Sequence, residues 1–188
     1  GNRGQHHLNA TVGTKPPTVS VEEPVNELSP QSAFLAAFSL HPAGVAVITA
    51  RDAAGQPVGF TATSLASFSA FPPRASFNIA RHASSYPAVA VGSSVILHFL
   101  AEHQVDLALT MAASADQRFV GDHWAPDATG LPRLAGVRAV LNAHVVAVTE
   151  VGENASVVVE IDGGDTNTEC SPLVYVERRY HAVGDTVD

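Results

Sequence analysis

Between Phe60 and Ser85 the chain reads FTATSLASFSAFPPRASFNIARHASS, and short hydroxyl side chains recur along it at Thr61, Thr63, Ser64, Ser67, Ser69 and Ser76. Such groups donate and accept hydrogen bonds at short reach, so a strip of them suits a polar heterocycle or a phosphate, with backbone N–H groups assisting. The same strip equally serves as the polar face of a strand and its loop. Arg81, His82, Ser84 and Ser85 follow, placing a guanidinium and two hydroxyls just before an expected helix start, where an anion is favoured. A phosphate monoester suits that end. The plainer alternative is that Ser84 caps the helix while Arg81 stays in water.

Other reactive residue types form no recognisable constellation. No Gly-Xaa-Ser-Xaa-Gly elbow is present to activate a serine. His41, His98, His103, His144 and His181 share no short metal-ligand spacing, and Asp162-Gly163-Gly164-Asp165 lacks the rest of a calcium loop, so it reads as a solvated turn. Cys170 is the lone cysteine, which excludes an internal disulfide and any CxxC motif.

The elements that must position the strip can be read from the flanking pattern. Ser29-Pro30 is an N-cap followed by proline at the first helical position, and Phe34, Leu35 and Phe38 give the following helix an apolar face, ending near His41-Pro42. Gly44–Ala50 and Val58–Thr63 flank a turn at Asp52–Gly55 and predict a β-hairpin. Strands are expected at 75–80, 95–100, 137–148, 156–161, 173–176 and 180–183, with helices at 86–91 and 105–112. Strands outnumber helices, and an antiparallel barrel with a few peripheral helices removes their exposed edges. Residues 1–28 lack any apolar period and read as a flexible arm; 29–188 read as one domain.

Composition excludes several classes of partner. Apolar residues make up 46% of the 188-residue chain and charged residues 15%, a globular balance. A formal charge of −8 with only ten Lys and Arg argues against nucleic acid and against anionic lipid, both of which need a basic patch. No apolar run is long enough to span a bilayer and no secretory signal is evident, so a cytoplasmic location is expected.

The succession Pro42-Ala-Gly-Val-Ala-Val-Ile-Thr49, Gly59-Phe-Thr-Ala-Thr-Ser64, Ser67-Phe-Ser69, Pro72-Pro73, Ser76-Phe-Asn-Ile-Ala80 and Ser84-Ser85-Tyr86-Pro87 resembles the flavin reductase-like, FMN-binding split-barrel family. Arg118-Phe119-Val120-Gly121, Trp124, Gly130-Leu131-Pro132, Pro172-Leu-Val-Tyr175 and Arg179-Tyr180 extend the resemblance to about Ser32 through Val183. It implies a mainly β fold, a six-stranded antiparallel Greek-key barrel, and a homodimer with flavins at the subunit interface. It also implies NAD(P)H-dependent reduction of FMN or FAD, with the reduced flavin passed to a partner monooxygenase. By motif position, Thr61, Ala62, Thr63 and Ser64 would line the isoalloxazine and ribityl chain. Ser67, Asn78, Arg81, Ser84 and Ser85 would approach the remaining polar groups and the phosphate.

One position departs from the family pattern. Where many members carry Gly-Asp-His, with the histidine near the nicotinamide, this chain reads Gly152-Glu153-Asn154. The letters of Gly121-Asp122-His123 match, but they fall about thirty residues too early and align with another loop. The departure leans toward a second reading, an FMN-binding module that stores, carries or senses flavin without efficient NAD(P)H oxidation. An oxidase of the pyridoxamine phosphate type is disfavoured because basic residues are too few for two phosphate sites.

Overall fold

The computed structural model describes residues 28–188, so the expected arm over 1–28 lies, apart from Leu28, outside the described residues. Helix α1 (Pro30–Leu40) begins as its sequence predicts, with the Ser32 N–H donating to the Ser29 hydroxyl at 3.2 Å and proline in the first turn. Its apolar face does not reach a core: no residue of α1 is buried. Chain order then gives β1 (Ala43–Gly44), β2 (Ala46–Arg51), β3 (Pro57–Ala62), β4 (Ala66–Ala70) and β5 (Pro73–Ala80). After a short 3-10 turn at Tyr86–Val89 come β6 (Ser94–Phe99), α2 (Val105–Ala112), β7 (Trp124–Pro126) and β8 (Pro132–Leu134). The long hairpin β9 (Ala139–Val151) and β10 (Asn154–Thr166) is followed by β11 (Leu173–Val176) and β12 (Arg179–Ala182).

The main sheet is antiparallel throughout, in the order β3-β2-β6-β9-β10-β5-β4. Six of its strands, β2, β3, β5, β6, β9 and β10, turn residues into one shared core that includes Ile48, Ala62, Phe77, Leu97, Val145 and Val157. β4 adds a short edge strand and no core residue. The sheet curls strongly, because Phe60 on β3 and Phe77 on β5, near opposite ends of the strand order, stand with ring centroids 5.9 Å apart. Phe77 is fully buried, and enclosing a side chain of that size is worth about 1.5–3 kcal/mol. The mainly β antiparallel fold read from the sequence is the one the chain adopts.

A second core, built from Val47, Ile96, Met111, Leu134, Val140 and Leu173, fills the other face of β2, β6 and β9, beneath α2 and β8. Gly59 of β3 belongs here for a steric reason: a Cβ on it would meet the Ile48 carbonyl oxygen at 2.8 Å and the Met111 methyl at 3.1 Å.

Two local readings are corrected. The segment Asp162-Gly163-Gly164-Asp165 is no turn; it lies within β10, paired to β9 across a register shift between Ile161 and Gly163. A bulge of this kind lets the strand bend and continue. The expected helix at 86–91 is a single 3-10 turn, and the stretch from Ala66 to Ala70, which lacks β-branched residues, becomes β4 by pairing with β5.

Candidate functional site

The sequence-predicted site residues divide into groups with different surroundings. Thr61 donates its hydroxyl to the Ala108 carbonyl at 2.7 Å, tying β3 to α2, and Ala62 faces the core. Thr63 and Ser64 leave the end of β3 and come to β5: the Asn78 N–H donates to the Ser64 hydroxyl at 2.9 Å. Asn78 projects from the outward face of β5, since Phe77 and Ile79 are buried on the other. Ser67 sits exposed on β4 beside Ala75.

Thr63, Ser64 and Asn78 form one wall of a cleft of about 640 Å³. Leu35 and Phe38 of α1 line the same cleft, with Glu177 and Arg178 from the β11–β12 turn. A smaller cavity of about 240 Å³ adjoins it, sharing Gly44 and Leu65 and lined also by Arg138, Thr166 and Thr168. The cleft therefore combines hydrogen-bonding groups with apolar side chains. A flat amphipathic ligand needs that combination, and the size lies within the range of small-molecule sites.

Arg81, Ser84 and Ser85 lie further along, past the end of β5. The Arg81 guanidinium donates to the Gly152 carbonyl at 3.0 Å and meets Glu150 at 3.2 Å, while its N–H donates to the Glu153 carbonyl at 2.9 Å. Arg81 thus holds the β9–β10 turn by side chain and backbone together. Glu150 also accepts from the Tyr86 hydroxyl at 2.5 Å, and that hydrogen bond raises the Tyr86 pKa above its ordinary value. Ser84 is exposed, whereas Ser85 is buried and donates to the Gly59 carbonyl at 3.2 Å. Arg118 donates to the same carbonyl at 2.8 Å.

Asn154 opens β10 directly after the tight turn, where Gly152 has φ +58°. It pairs with Ala80, and Ser156 pairs with Asn78. Paired residues share a face, so Asn154 stands on the same outward surface as Asn78 of the cleft. His123 lies elsewhere, in the loop after α2, with its Nε2 2.8 Å from the Arg118 carbonyl oxygen. Sequence reasoning did not find the contributions of α1, Gly44 and the Glu177-Arg178 turn. All come from chain distant from the hydroxyl strip, and no local pattern marks them.

A curled antiparallel sheet thus carries this cleft at the end of β3 on a small β scaffold. Residues 38–184 match the flavin reductase like domain, and the chain belongs to that family. It is 40% identical over 153 residues to an NADH:FMN oxidoreductase of Rhodococcus erythropolis, a match that covers 79% of each chain. It is 32% identical over 126 residues to the reductase component of the flavin-dependent trigonelline monooxygenase of Acinetobacter baylyi, covering 67% of this chain and 41% of that one. The crystal structure of a flavin reductase domain protein from Arthrobacter sp. FB24 superposes with a TM-score of 0.79 at 37% identity, covering 84% of this chain and 98% of that one.

Proposed function

We propose that this protein is an NAD(P)H-dependent flavin reductase, with FMN as its flavin and FAD as the larger alternative, delivering reduced flavin to a partner monooxygenase. The observation that carries this reading is the cleft, which Thr63, Ser64 and Asn78 line together with Leu35 and Phe38. The apolar side chains take the face of the flavin ring and the polar strip takes its heteroatoms. Arg81 follows Asn78 by three positions, just past the end of β5, about 10 Å if the chain stays extended, so one elongated ligand reaches both. Arg81 and Ser84 then receive the phosphate, with Ser85 and Ser67 in support, and Thr61 and Ala62 set the floor from behind.

The flavin supplies the hydride-accepting ring, and the protein's part is to hold it and to admit the nicotinamide. Asn154, on the same sheet face as Asn78, borders the side where the nicotinamide would approach. The reductase relatives support this reading, and the trigonelline relative supports a monooxygenase as the recipient. Among the described residues no helix is long and apolar enough to cross a membrane. We place the protein in the cytoplasm, as a homodimer whose subunits close the exposed side of the cleft.

The absorbance spectrum of the purified protein, recorded with FMN before and after NADH under anaerobic conditions, tests the reading. Bound flavin that bleaches on NADH addition is expected. Bound flavin that stays oxidised would favour the carrier or sensor, which Asn154 would explain, and no bound flavin would remove both.

A further inference from the structure

The β11–β12 turn carries two non-glycine residues in the left-handed region, Glu177 at φ +51° and Arg178 at φ +62°. A two-residue hairpin turn of this shape is ordinarily Asn-Gly or Gly-Gly, and each bulky residue forced there costs on the order of 1 kcal/mol. Neither side chain repays that cost through a hydrogen bond or ion pair among the described residues. The turn is nevertheless held in place, because the Glu177 N–H donates to the Ser39 carbonyl of α1 at 2.7 Å. A strained arginine is therefore fixed at the rim of the cleft.

The other arginines sharpen the contrast. Arg51, Arg74, Arg118 and Arg133 each hold a carbonyl or carboxylate, and Arg81, which the flavin reading gives to the phosphate, already meets Glu150 and the Gly152 carbonyl with a side chain 45% exposed. Among the described residues Arg138, Arg178 and Arg179 have no such side-chain partner. Arg178 borders the cleft and Arg138 the adjoining cavity. Glu177 lines the same cleft and offsets the charge of Arg178, so what Arg178 offers an anion is an uncommitted guanidinium fork rather than a net positive field.

We propose that Arg178 recognises the pyrophosphate of a dinucleotide and so separates dinucleotides from mononucleotides at this site. The inference rests on the flavin reductase reading, in which the phosphate of FMN goes to Arg81 at the far end of the strip. The pyrophosphate belongs either to the pyridine nucleotide or to FAD, since both present two adjacent phosphates to a guanidinium fork.

Glycine suits the φ of position 178, so Arg178→Gly keeps the fold and relieves strain; Arg179→Ala removes a neighbouring cation from the same hairpin as a control. Binding of FMN, FAD, NADH and reduced nicotinamide mononucleotide is measured by fluorescence titration, with thermal unfolding alongside. R178G should weaken FAD relative to FMN, or NADH relative to the mononucleotide, by roughly tenfold, the scale of one charge-assisted hydrogen bond partly screened by water. The affected pair identifies the source of the pyrophosphate. The same variant should melt higher than wild type, which a purely structural arginine would not produce together with the binding loss. Equal effects on mono- and dinucleotides, no effect, or the same loss in R179A would overturn the assignment. A wild type that takes up no flavin would remove the reductase reading instead, and the NADH comparison on that protein would still decide the role of Arg178.

Discussion

In the proposed reaction Asn154 occupies the place where the family resemblance expects a histidine beside the nicotinamide. An amide donates and accepts hydrogen bonds but takes up no proton near neutral pH, whereas an imidazole does. Because Asn154 stands exposed at the start of β10, a histidine fits there without disturbing the core. We expect Asn154→His to speed flavin reduction by NADH, lowering the barrier by at most about 1–3 kcal/mol, with flavin affinity unchanged. Stopped-flow reduction checks this; a variant no faster than wild type would show the amide to be no obstacle. Arg81 gives a second expectation at this scale. Replacing it with alanine should weaken FMN more than riboflavin, since the guanidinium pairs with the phosphate and not with the ring; equal losses would place the phosphate elsewhere. Of these residues, Thr63, Ser64 and Asn78 were legible as a strip because they lie close in sequence. The partners already held by Arg81 and Ser85 were not, since Glu150, Gly152 and Gly59 reach them only through the fold.

The same division holds for the elements. The hairpin β2–β3 and strands β5, β6, β11 and β12 announce themselves by β-branched and aromatic runs between turn residues. β4, β7 and β8 do not, because each is short and exists by pairing with a neighbour. One junction among the elements depends on a buried histidine. His98 of β6 is fully enclosed, its Nδ1 3.1 Å from the Val47 carbonyl of β2 while its Nε2 accepts the Leu134 N–H of β8 at 3.0 Å. Both ring nitrogens are satisfied only in the neutral form. Burial pushes the His98 pKa from 6.5 down to about 4, so the folded protein binds fewer protons than the unfolded chain between those values. Its contribution is complete above about pH 6.5 and is lost as pH falls through about 4. The loss amounts to something on the order of 3 kcal/mol. Urea unfolding at pH 7 and at pH 4.5 should reveal a steep decline in wild type and a shallower one in His98→Gln. Identical declines would mean that other groups govern acid stability.

For the whole molecule, the outstanding fact among the described residues is an apolar helix that stands open. Phe34, Leu35 and Phe38 of α1 remain 58%, 51% and 61% exposed, and Phe68 and Phe71 near β4 remain 60% and 96% exposed. The sequence pattern gives α1 an apolar face, but among the described residues the cores are filled by strands and α2 and no residue of α1 is buried. Monomeric proteins rarely leave such surface open. A second copy is the covering that the proposed dimer provides, and it would also close the cleft, because Leu35 and Phe38 line it. Two-fold pairing places the same helix face at the interface of both subunits, so one substitution removes two contacts. We expect wild type to be dimeric by light scattering, with a melting temperature that rises with protein concentration. Phe34→Asp, whose side chain lies 4.8 Å from Phe38 between ring centroids but outside the cleft-lining set, should yield a folded monomer with weakened flavin affinity. A wild type that is monomeric yet binds flavin at full strength would sink the dimer and leave the α1 face to another partner. A monomeric F34D protein with undiminished affinity would instead show that each subunit completes its own site.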